Sequence, residues 1–458
     1  MKLGTFPIAF GCALILAAAP ARAQSIEDAL VEAYRNNPLL LAQRARVRAT
    51  DEQVPQALAN WRPTVDVTAD TGRSRYETNI KSATSPELQQ REPKSTKIEL
   101  SQPLFRGGRT IAATSEAENN VHAERARLIV TEQKVMLDGA VAYLDLYREI
   151  AVLDLNTNNE EVLRRQLEAT RDRFQVGEIT RTDVFQAEAR LAKATAERIK
   201  AEGDLETSRA NYVKVIGGAP PASPALPPGP DRLPDGKENA IRDAAVLNPA
   251  VVAAEFDQKA ARDKVDGVTG ELLPTFRIVA SAGKDWESSN ESSRISNVEA
   301  KLKFSMPLYE GGATYARARG ARQTAAERLN LVDKERRDAV QTANRAWDTL
   351  QTARARVDSF DSQIKAATVA LDGVQREAAV GSRTVLDVLN AEQELLDAKV
   401  NHVRAQRDEL AAAFELKSAV GHLTARHLGL KVDLYDPVDH YDESRGKWVG
   451  TSGKGGIE

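Results

Sequence analysis

The sequence predicts a mainly α protein with a β-barrel contribution, and three observations carry that reading. First, FQVGEITRTDVFQAEARLAKA from Phe174 returns as AAVGSRTVLDVLNAEQELLDA from Ala378. Gly177 answers to Gly381, Thr180 to Thr384, Asp183 to Asp387 and Glu188 to Glu392, each 204 positions apart, and a constant offset means two structural halves. Second, seven-residue apolar stripes precede both copies over lengths far beyond a globular helix. Third, four short segments alternate apolar and polar residues, which is strand periodicity. Aromatic residues make up 5% of the 458-residue chain, too few for several compact cores but suited to long Ala-rich, charged helices.

The opening MKLGTFPIAFGCALILAAAPARA has one Lys, an apolar run and then Ala21-Arg22-Ala23. That is the pattern of a secretory signal over residues 1–23, cleaved before Gln24. Cys12 is the only cysteine, and Phe10-Gly11-Cys12 fits a lipid-attachment box poorly. The exported chain is therefore expected to carry no disulfide, thiol nucleophile or Cys metal site. A net charge of −3 with 28% charged residues argues against a nucleic-acid partner. No later stretch approaches the roughly 18 apolar residues of a membrane helix, so any membrane span must be built of strands.

The first half, residues 24–216, opens with Ser25-x-x-Asp28, a capping-box spacing at a helix start. Asn37-Pro38 divides the helical pattern into two helices, and Trp61-Arg62-Pro63 ends the second. From Thr64 to Thr71, Val65, Val67 and Ala69 share one face while Thr64, Asp66, Thr68 and Asp70 share the other. A polar loop is expected from about Glu77 to Pro93. A second strand follows from Lys94 to Phe105, with Ile98, Leu100 and Leu104 against Lys97, Glu99 and Ser101. Pro103-Leu104-Phe105-Arg106-Gly107-Gly108 stops it. A helix then runs to about Val176, on the order of 100 Å at 1.5 Å per residue. Val121, Leu128, Val135 and Ala142 recur at seven-residue steps, flanked by Ile129, Met136, Tyr143 and Ile150, which predicts a coiled-coil seam. Gly177 suits the left-handed position past a helix end, Thr180 and Asp183 repeat the capping-box spacing, and a helix returns from Arg181 to Ile216. The stretch is the tip of a helical hairpin.

Residues 217–234 are a Pro- and Gly-rich linker, and 235–422 repeat the first half. Asn248-Pro249 answers to Asn37-Pro38 and Pro274-Thr275 to Pro63-Thr64, both at an offset of 211. Thr275–Ala282 and Asn297–Met306 read as strands. Met306-Pro307-Leu308-Tyr309-Glu310-Gly311-Gly312 matches the first strand end at offset 204, so the difference of seven falls in the strand–loop–strand segment. A second long helix, with Ala343, Leu350, Val357, Ile364 and Leu371 at seven-residue steps, turns at Gly381 and returns to Val420. Residues 423–458 form a tail whose last ten positions are expected to be disordered.

Four amphipathic strands cannot close a barrel, and open edges cannot sit in lipid. Other copies of the chain must complete them. Two copies give eight strands, a barrel filled by side chains; three give twelve, wide enough for a lumen. The polar faces suit water, the apolar faces suit lipid, and Trp61, Phe105 and Tyr309 at the strand ends suit an interfacial belt. Each strand pair starts and finishes on helices, so all helices leave the barrel on one side.

VGSRTVLDVLNAEQELLDAK, the two Pro-Leu-aromatic-x-Gly-Gly strand ends and the two-fold repeat resemble the TolC family of outer-membrane exit ducts, over nearly all of residues 25–420. The resemblance implies a homotrimer with a twelve-stranded barrel in outer-membrane lipid and an α-helical tunnel across the periplasm of a Gram-negative bacterium. It also implies docking, through a periplasmic adaptor, to an inner-membrane ABC or RND-type transporter that exports proteins or small toxic molecules. Carried over by motif, the gate at the tunnel's periplasmic end would use Thr182 and Asp183 on the first hairpin with Arg383, Asp387 and Asn390 on the second. The tips at Val176, Gly177, Val380 and Gly381 would meet the adaptor. Two positions depart from the family's best-studied pattern. Ala378 stands where that pattern has a Tyr, and Asn390 where it has a second Asp. A ring of six carboxylates would shrink to three, which predicts a less cation-selective and leakier entrance.

The same carboxylates have a plainer role, since Asp183 and Asp387 sit where a helix cap needs them, and Gly177 and Gly381 where the turn needs them. Catalysis finds little foothold. His122, His402, His422, His427 and His440 show no metal spacing, and no phosphate loop, dinucleotide fingerprint or nucleophile elbow occurs. The sequence therefore reads as a non-enzyme needing no cofactor. A non-pore periplasmic coiled-coil scaffold or adaptor is the alternative, opposed by the four wet-faced strands. An autonomous porin is opposed by the long helices.

Overall fold

The computed structural model describes residues 25–77 and 88–451; the secretory signal and the final seven positions lie outside them. The first half runs α1 (Ile26–Asn36), α2 (Pro38–Asp51), α3 (Gln53–Leu58), β1 (Thr64–Thr71), β2 (Ser74–Glu77), β3 (Leu88–Arg91), β4 (Lys94–Arg106), α4 (Arg109–Gln175) and α5 (Arg181–Ile216). After a linker without helix or strand come α6 (Lys237–Leu247), α7 (Pro249–Thr269), β5 (Thr275–Trp286), β6 (Arg294–Ser305), α8 (Ala313–Ala379), α9 (Val385–Ala419) and the short α10 (Asp439–Arg445).

Local chemistry explains the boundaries. Ser25 and Asp28 form the expected reciprocal capping box of α1. Asn37 and Asn248 precede the prolines that open α2 and α7, and each does two jobs. Each side-chain oxygen accepts from the backbone N–H two residues on, while the amide donates to the carbonyl of Val215 or Ala419 near the end of the returning helix. One Asn-Pro pair thus starts a helix and ties it to the hairpin in each repeat.

The seven-residue stripe of α4 is buried where it was predicted. Val121, Leu128, Val135, Ala142, Met136 and Tyr143 are all inside, and the Tyr143 hydroxyl donates to the Ala225 carbonyl of the linker. Ile129 is the exception, 39% exposed at the rim of a cavity. In α8 the stripe is buried at Ala343 and Leu350 but only half-buried at Val357, Ile364 and Leu371. The main core gathers α1, α2, α4, α5, α9 and the segment after it around Leu30, Tyr143, Tyr212, Phe414 and Leu423.

The four main strands form one antiparallel sheet in the order β1-β4-β5-β6, so β4 and β5 join the two repeats and β1 and β6 are its edges. Several features differ from the sequence reading, among them a β6 that starts at Arg294, three residues before Asn297. Part of the expected polar loop is structured, since β2 and β3 pair as a two-stranded ribbon; its centre, residues 78–87, lies outside the described residues. β5 continues four residues past Ala282 to Trp286. A bulge between Pro103 and Phe105 leaves Leu104 out of register and turns Phe105 to the face of Phe276. A bulge inserts one residue and so inverts the alternation beyond it.

The tail after α9 is ordered through α10. Asp51, fully buried, meets His440 at 3.2 Å and Arg125 at 3.7 Å, while Arg125 and Arg445 lie over the Tyr441 ring. The Arg62 guanidinium donates to the Lys447 carbonyl and stacks on Trp448. These contacts strap the C-terminal segment to the base of β1.

Candidate functional site

Two regions carry the functional geometry, the sheet and the two hairpin tips. In the sheet, strand register sorts the side chains into two surfaces. Val67, Ile98, Ala282 and Val298 form one cross-strand row; Val65, Leu100 and two alanines form the next. On this face Val67 is 69% exposed, Val298 84% and Leu302 65%, a cost in water that lipid removes. The band is bounded at the helix end by Phe105, Phe276 and Phe304, whose rings follow one another at 6.3 and 5.1 Å. At the other end Lys94, Trp286 and Arg294 share a row. The ten steps from Phe276 to Trp286 span ~33 Å along the strand, or ~25 Å of height at a barrel tilt near 40°, the thickness of an outer-membrane apolar band.

The opposite face is polar. Asp66, Glu99, Ser281 and Glu299 stand in one row; Thr68, Lys97, Gly283 and Asn297 in the next. Lys97 pairs with Glu99 at 2.5 Å and Lys301 pairs with Glu299. Val279 and Ser281 on this side are buried.

The tips are built alike. At the end of α4 the Gly177 N–H donates to the Phe174 carbonyl and the Glu178 N–H to the Arg173 carbonyl; at the end of α8 Gly381 and Ser382 donate to Ala378 and Glu377. Both are Schellman closures, with φ of +83° at Gly177 and +81° at Gly381. Among the described residues nothing lies within 4 Å of where a Cβ would stand on either glycine. The turn, not crowding, demands glycine there. Thr180–Asp183 and Thr384–Asp387 then form complete capping boxes. The Asp387 carboxylate accepts from the Thr384 backbone and hydroxyl, which hold it below the ordinary carboxylate range.

The structure distributes the sequence-predicted site residues as follows. Val176 and Val380 are exposed at equivalent tip positions, 73% and 80%. Thr182 is exposed beside Asp183. Arg383, carried over by motif as a gate residue, is paired: its Nε lies 2.8 Å from the Glu377 carboxylate of the same hairpin. The first tip has the reverse arrangement. Arg173, at the repeat position of Glu377, binds Glu178 at 3.0 Å. Asn390 accepts from Arg190 at 2.7 Å, linking α9 to α5, beside a small core in which Leu163, Leu167 and Ala187 meet Val385 and Leu389. Sequence reasoning missed Arg190, 200 positions away. It also missed Glu160, which accepts from Arg164, Thr195 and Arg198 and pins α4 to α5. The repeat positions of Glu160 and Arg198 are Ile364 and His402, so this pin belongs to the first hairpin alone.

Glu392 and Glu188 share a repeat position and not an environment. Glu188 pairs with Arg171 at 2.7 Å. Glu392 is buried with one carboxylate oxygen unpartnered, and burial pushes its carboxyl up against a weaker opposing hydrogen bond from Gln375. The His422 and His427 rings lie 4.9 Å apart in the segment after α9. No group of three potential metal ligands occurs among the described residues, nor is any described helix long and apolar enough to cross a membrane.

A sheet with one lipid-type face and one wet face, continued on one side by helical hairpins of 67-residue outward arms, defines an outer-membrane channel prolonged by a helical conduit. The chain matches the family model described as outer membrane efflux protein over residues 29–218 and 240–422. It is 34% identical over 441 residues to the outer membrane efflux protein BepC of Brucella suis biovar 1 (strain 1330), covering 95% of this chain and 94% of that protein. It is 24% identical over 453 residues to the outer membrane protein TolC of Escherichia coli (strain K12), covering 96% and 90%. The Campylobacter jejuni CmeC outer membrane channel superposes with a TM-score of 0.79 at 14% identity, over 97% of this chain and 98% of that one. The chain belongs to the outer membrane efflux protein family: it is an exit channel of the outer membrane, with its helical part in the periplasm.

Proposed function

We propose that three copies of this chain close their sheets into a twelve-stranded barrel in outer-membrane lipid, and that six hairpins below it enclose a tunnel across the periplasm. The observation that carries this reading is the four-stranded sheet with free edges at β1 and β6, lipid-type on one face and charged on the other. Unpaired edges are excluded from lipid, and twelve strands leave a lumen that eight do not. In this reading the signal 1–23 is removed, and the repeats 24–216 and 235–422 alternate around the duct. The linker 217–234 joins them, and the described part of the tail, 423–451, straps the outside.

The duct is passive and performs no chemistry on its cargo, whether proteins or small toxic molecules. Thr182, Asp183, Arg383, Asp387 and Asn390 form its periplasmic constriction. The tips at Val176, Gly177, Val380 and Gly381 receive a periplasmic adaptor that couples the duct to an inner-membrane ABC or RND-type transporter. The Arg190–Asn390 contact, which joins the two hairpins, supports a closed state held by exposed links, each weak singly, so that docking can release them.

The test is single-channel conductance of the purified protein in planar bilayers, wild type beside Arg383→Ala. A small conductance that rises in the variant is the expected outcome. High conductance in both would remove Arg383 from the gate. No channel from folded protein would overturn the duct in favour of a non-pore scaffold.

A further inference from the structure

A cavity of about 530 Å³ lies where the two repeats meet, between α2, α4, the α6–α7 junction and the segment after α9. That volume is in the range of small-molecule sites. Its walls are apolar at Leu40, Leu128, Val252 and Leu434, with Ile129 at the rim. Its charged groups are mostly cationic, beside Tyr34, Tyr435, Thr424, His422 and His427. Arg44, Arg125 and Arg426 line it against a single carboxylate, Glu132. That carboxylate is engaged by the Ala425 N–H at 2.7 Å, and burial raises its pKa.

The donors around the cavity are not fully used. The Nε and Nη2 atoms of Arg125 and the hydroxyl of Tyr435 are buried without a hydrogen-bond partner among the described residues. Arg125 Nη2 faces the likewise unpartnered Asp51 Oδ1 at 3.7 Å, which leaves Arg125 Nε and the Tyr435 hydroxyl as the orphaned donors that call for an acceptor. Arg44 is held flat, its guanidinium 4.4 Å from the Tyr34 ring centroid and 5.3 Å from that of Tyr435, with Nη2 donating to the Tyr34 carbonyl. A fixed planar fork beside unused donors is suited to a carboxylate-type head, and the wall opposite is suited to an apolar body.

We propose that this cavity binds an amphipathic organic anion, one carboxylate or sulfonate head on an apolar ring or chain, at one site per chain. The ligand would clamp the segment after α9 against α2 and α4, and so the two repeats against each other, at a level of the molecule remote from both the barrel and the tips.

The experiment uses the full-length protein in lipid nanodiscs, with empty nanodiscs as the blank, titrated calorimetrically with 2-naphthoate and with its neutral counterpart 2-naphthalenemethanol. Saturable binding of the anion at one per chain is expected, with the neutral compound at least about tenfold weaker. Ile129→Trp, which fills the rim from an exposed position, and Arg44→Gln, which removes the fork, should each weaken 2-naphthoate by about tenfold or more. Absence of saturable binding in the wild type, equal binding of the two compounds, or unchanged affinity in Ile129→Trp would overturn the proposal. The comparison of the two compounds needs only wild-type protein, so a variant that fails to fold leaves the test intact.

Discussion

Gly107 and Gly270 meet backbone to backbone where β4 passes into α4 and α7 passes into β5. A Cβ added to either would run into the carbonyl oxygen of the other, far inside van der Waals contact. Gly107 also has a φ of +63°, whereas Gly270 is in the ordinary right-handed region at −63°. Gly270→Ala therefore tests crowding alone. It is expected to cost about 1–3 kcal/mol and to lower the temperature at which the assembled form dissociates on unheated gels. Gly311, at the repeat position of Gly107, has a φ of +63° and nothing within 4 Å of its would-be Cβ among the described residues. Gly311→Ala should cost only the left-handed strain, about 1–2 kcal/mol.

Glu392→Gln should stabilise the protein at neutral pH. Burial raises the Glu392 carboxyl above its ordinary value, so the folded state holds its proton where the unfolded state has lost it. Stability then falls as pH rises from the ordinary carboxylate range through the raised value. The amide removes that cost, by about 1 kcal/mol at pH 7.5, and should change little at pH 4, where the acid is already protonated. Glu160 has the opposite sign. Burial alone would raise it, but hydrogen bonds from Arg198 and Thr195 and the charges of Arg198 and Arg164 outweigh that and lower its pKa. Its contribution is complete above the ordinary carboxylate range and is lost as pH falls through the lowered value. Thermal melts of Glu160→Gln and Glu392→Gln at pH 7.5 and pH 4 check both signs.

What the sequence disclosed was what is local or periodic. The tips were legible because a capping box and a Schellman glycine are written within eight residues, from Val176 to Asp183 and again from Val380 to Asp387. The main strands were legible because lipid on one side and water on the other enforce alternation from Thr64 to Thr71. The β2–β3 ribbon carries no such pattern; Arg75 and Gln90 pair with both exposed. The bulge at Leu104 broke the alternation just where it was being extrapolated. Asp51–His440, Arg190–Asn390 and His422–His427 were illegible for another reason. The first two pairs join positions 389 and 200 apart, and the third depends on a turn outside any helix.

Asn390→Asp should raise cation selectivity only when Arg190 is removed. With Arg190 in place, a carboxylate at 390 would sit at the end of the contact that Asn390 now makes at 2.7 Å and be neutralised there. In the Asn390→Asp/Arg190→Ala double variant three added carboxylates, one per copy, would face the constriction unpaired. Reversal potentials across a salt gradient should thus shift toward the cation potential in the double variant and little in either single one. An equal shift in Asn390→Asp alone would place that side chain away from Arg190 in the assembled duct.

The two faces of β6 give the sharpest contrast available in one strand. Val298, 84% exposed on the apolar side, pairs with Ala282 near the middle of the band, while its neighbour Asn297 pairs with Gly283 on the wet side. A guanidinium at the lipid face near the midplane costs about 2–4 kcal/mol, and in a trimer that cost is paid at three positions. Val298→Arg should therefore abolish recovery of the assembled protein from outer-membrane fractions or lower it several-fold. Asn297→Arg adds the same side chain to a lumen already carrying Lys97 and Lys301, so assembly should survive. Its effect should appear in conduction instead, as a shift of selectivity toward anions. If both variants assembled equally well, the apolar face would not be the lipid face. If Asn297→Arg alone failed, the faces would be reversed from the assignment made by register and side-chain polarity.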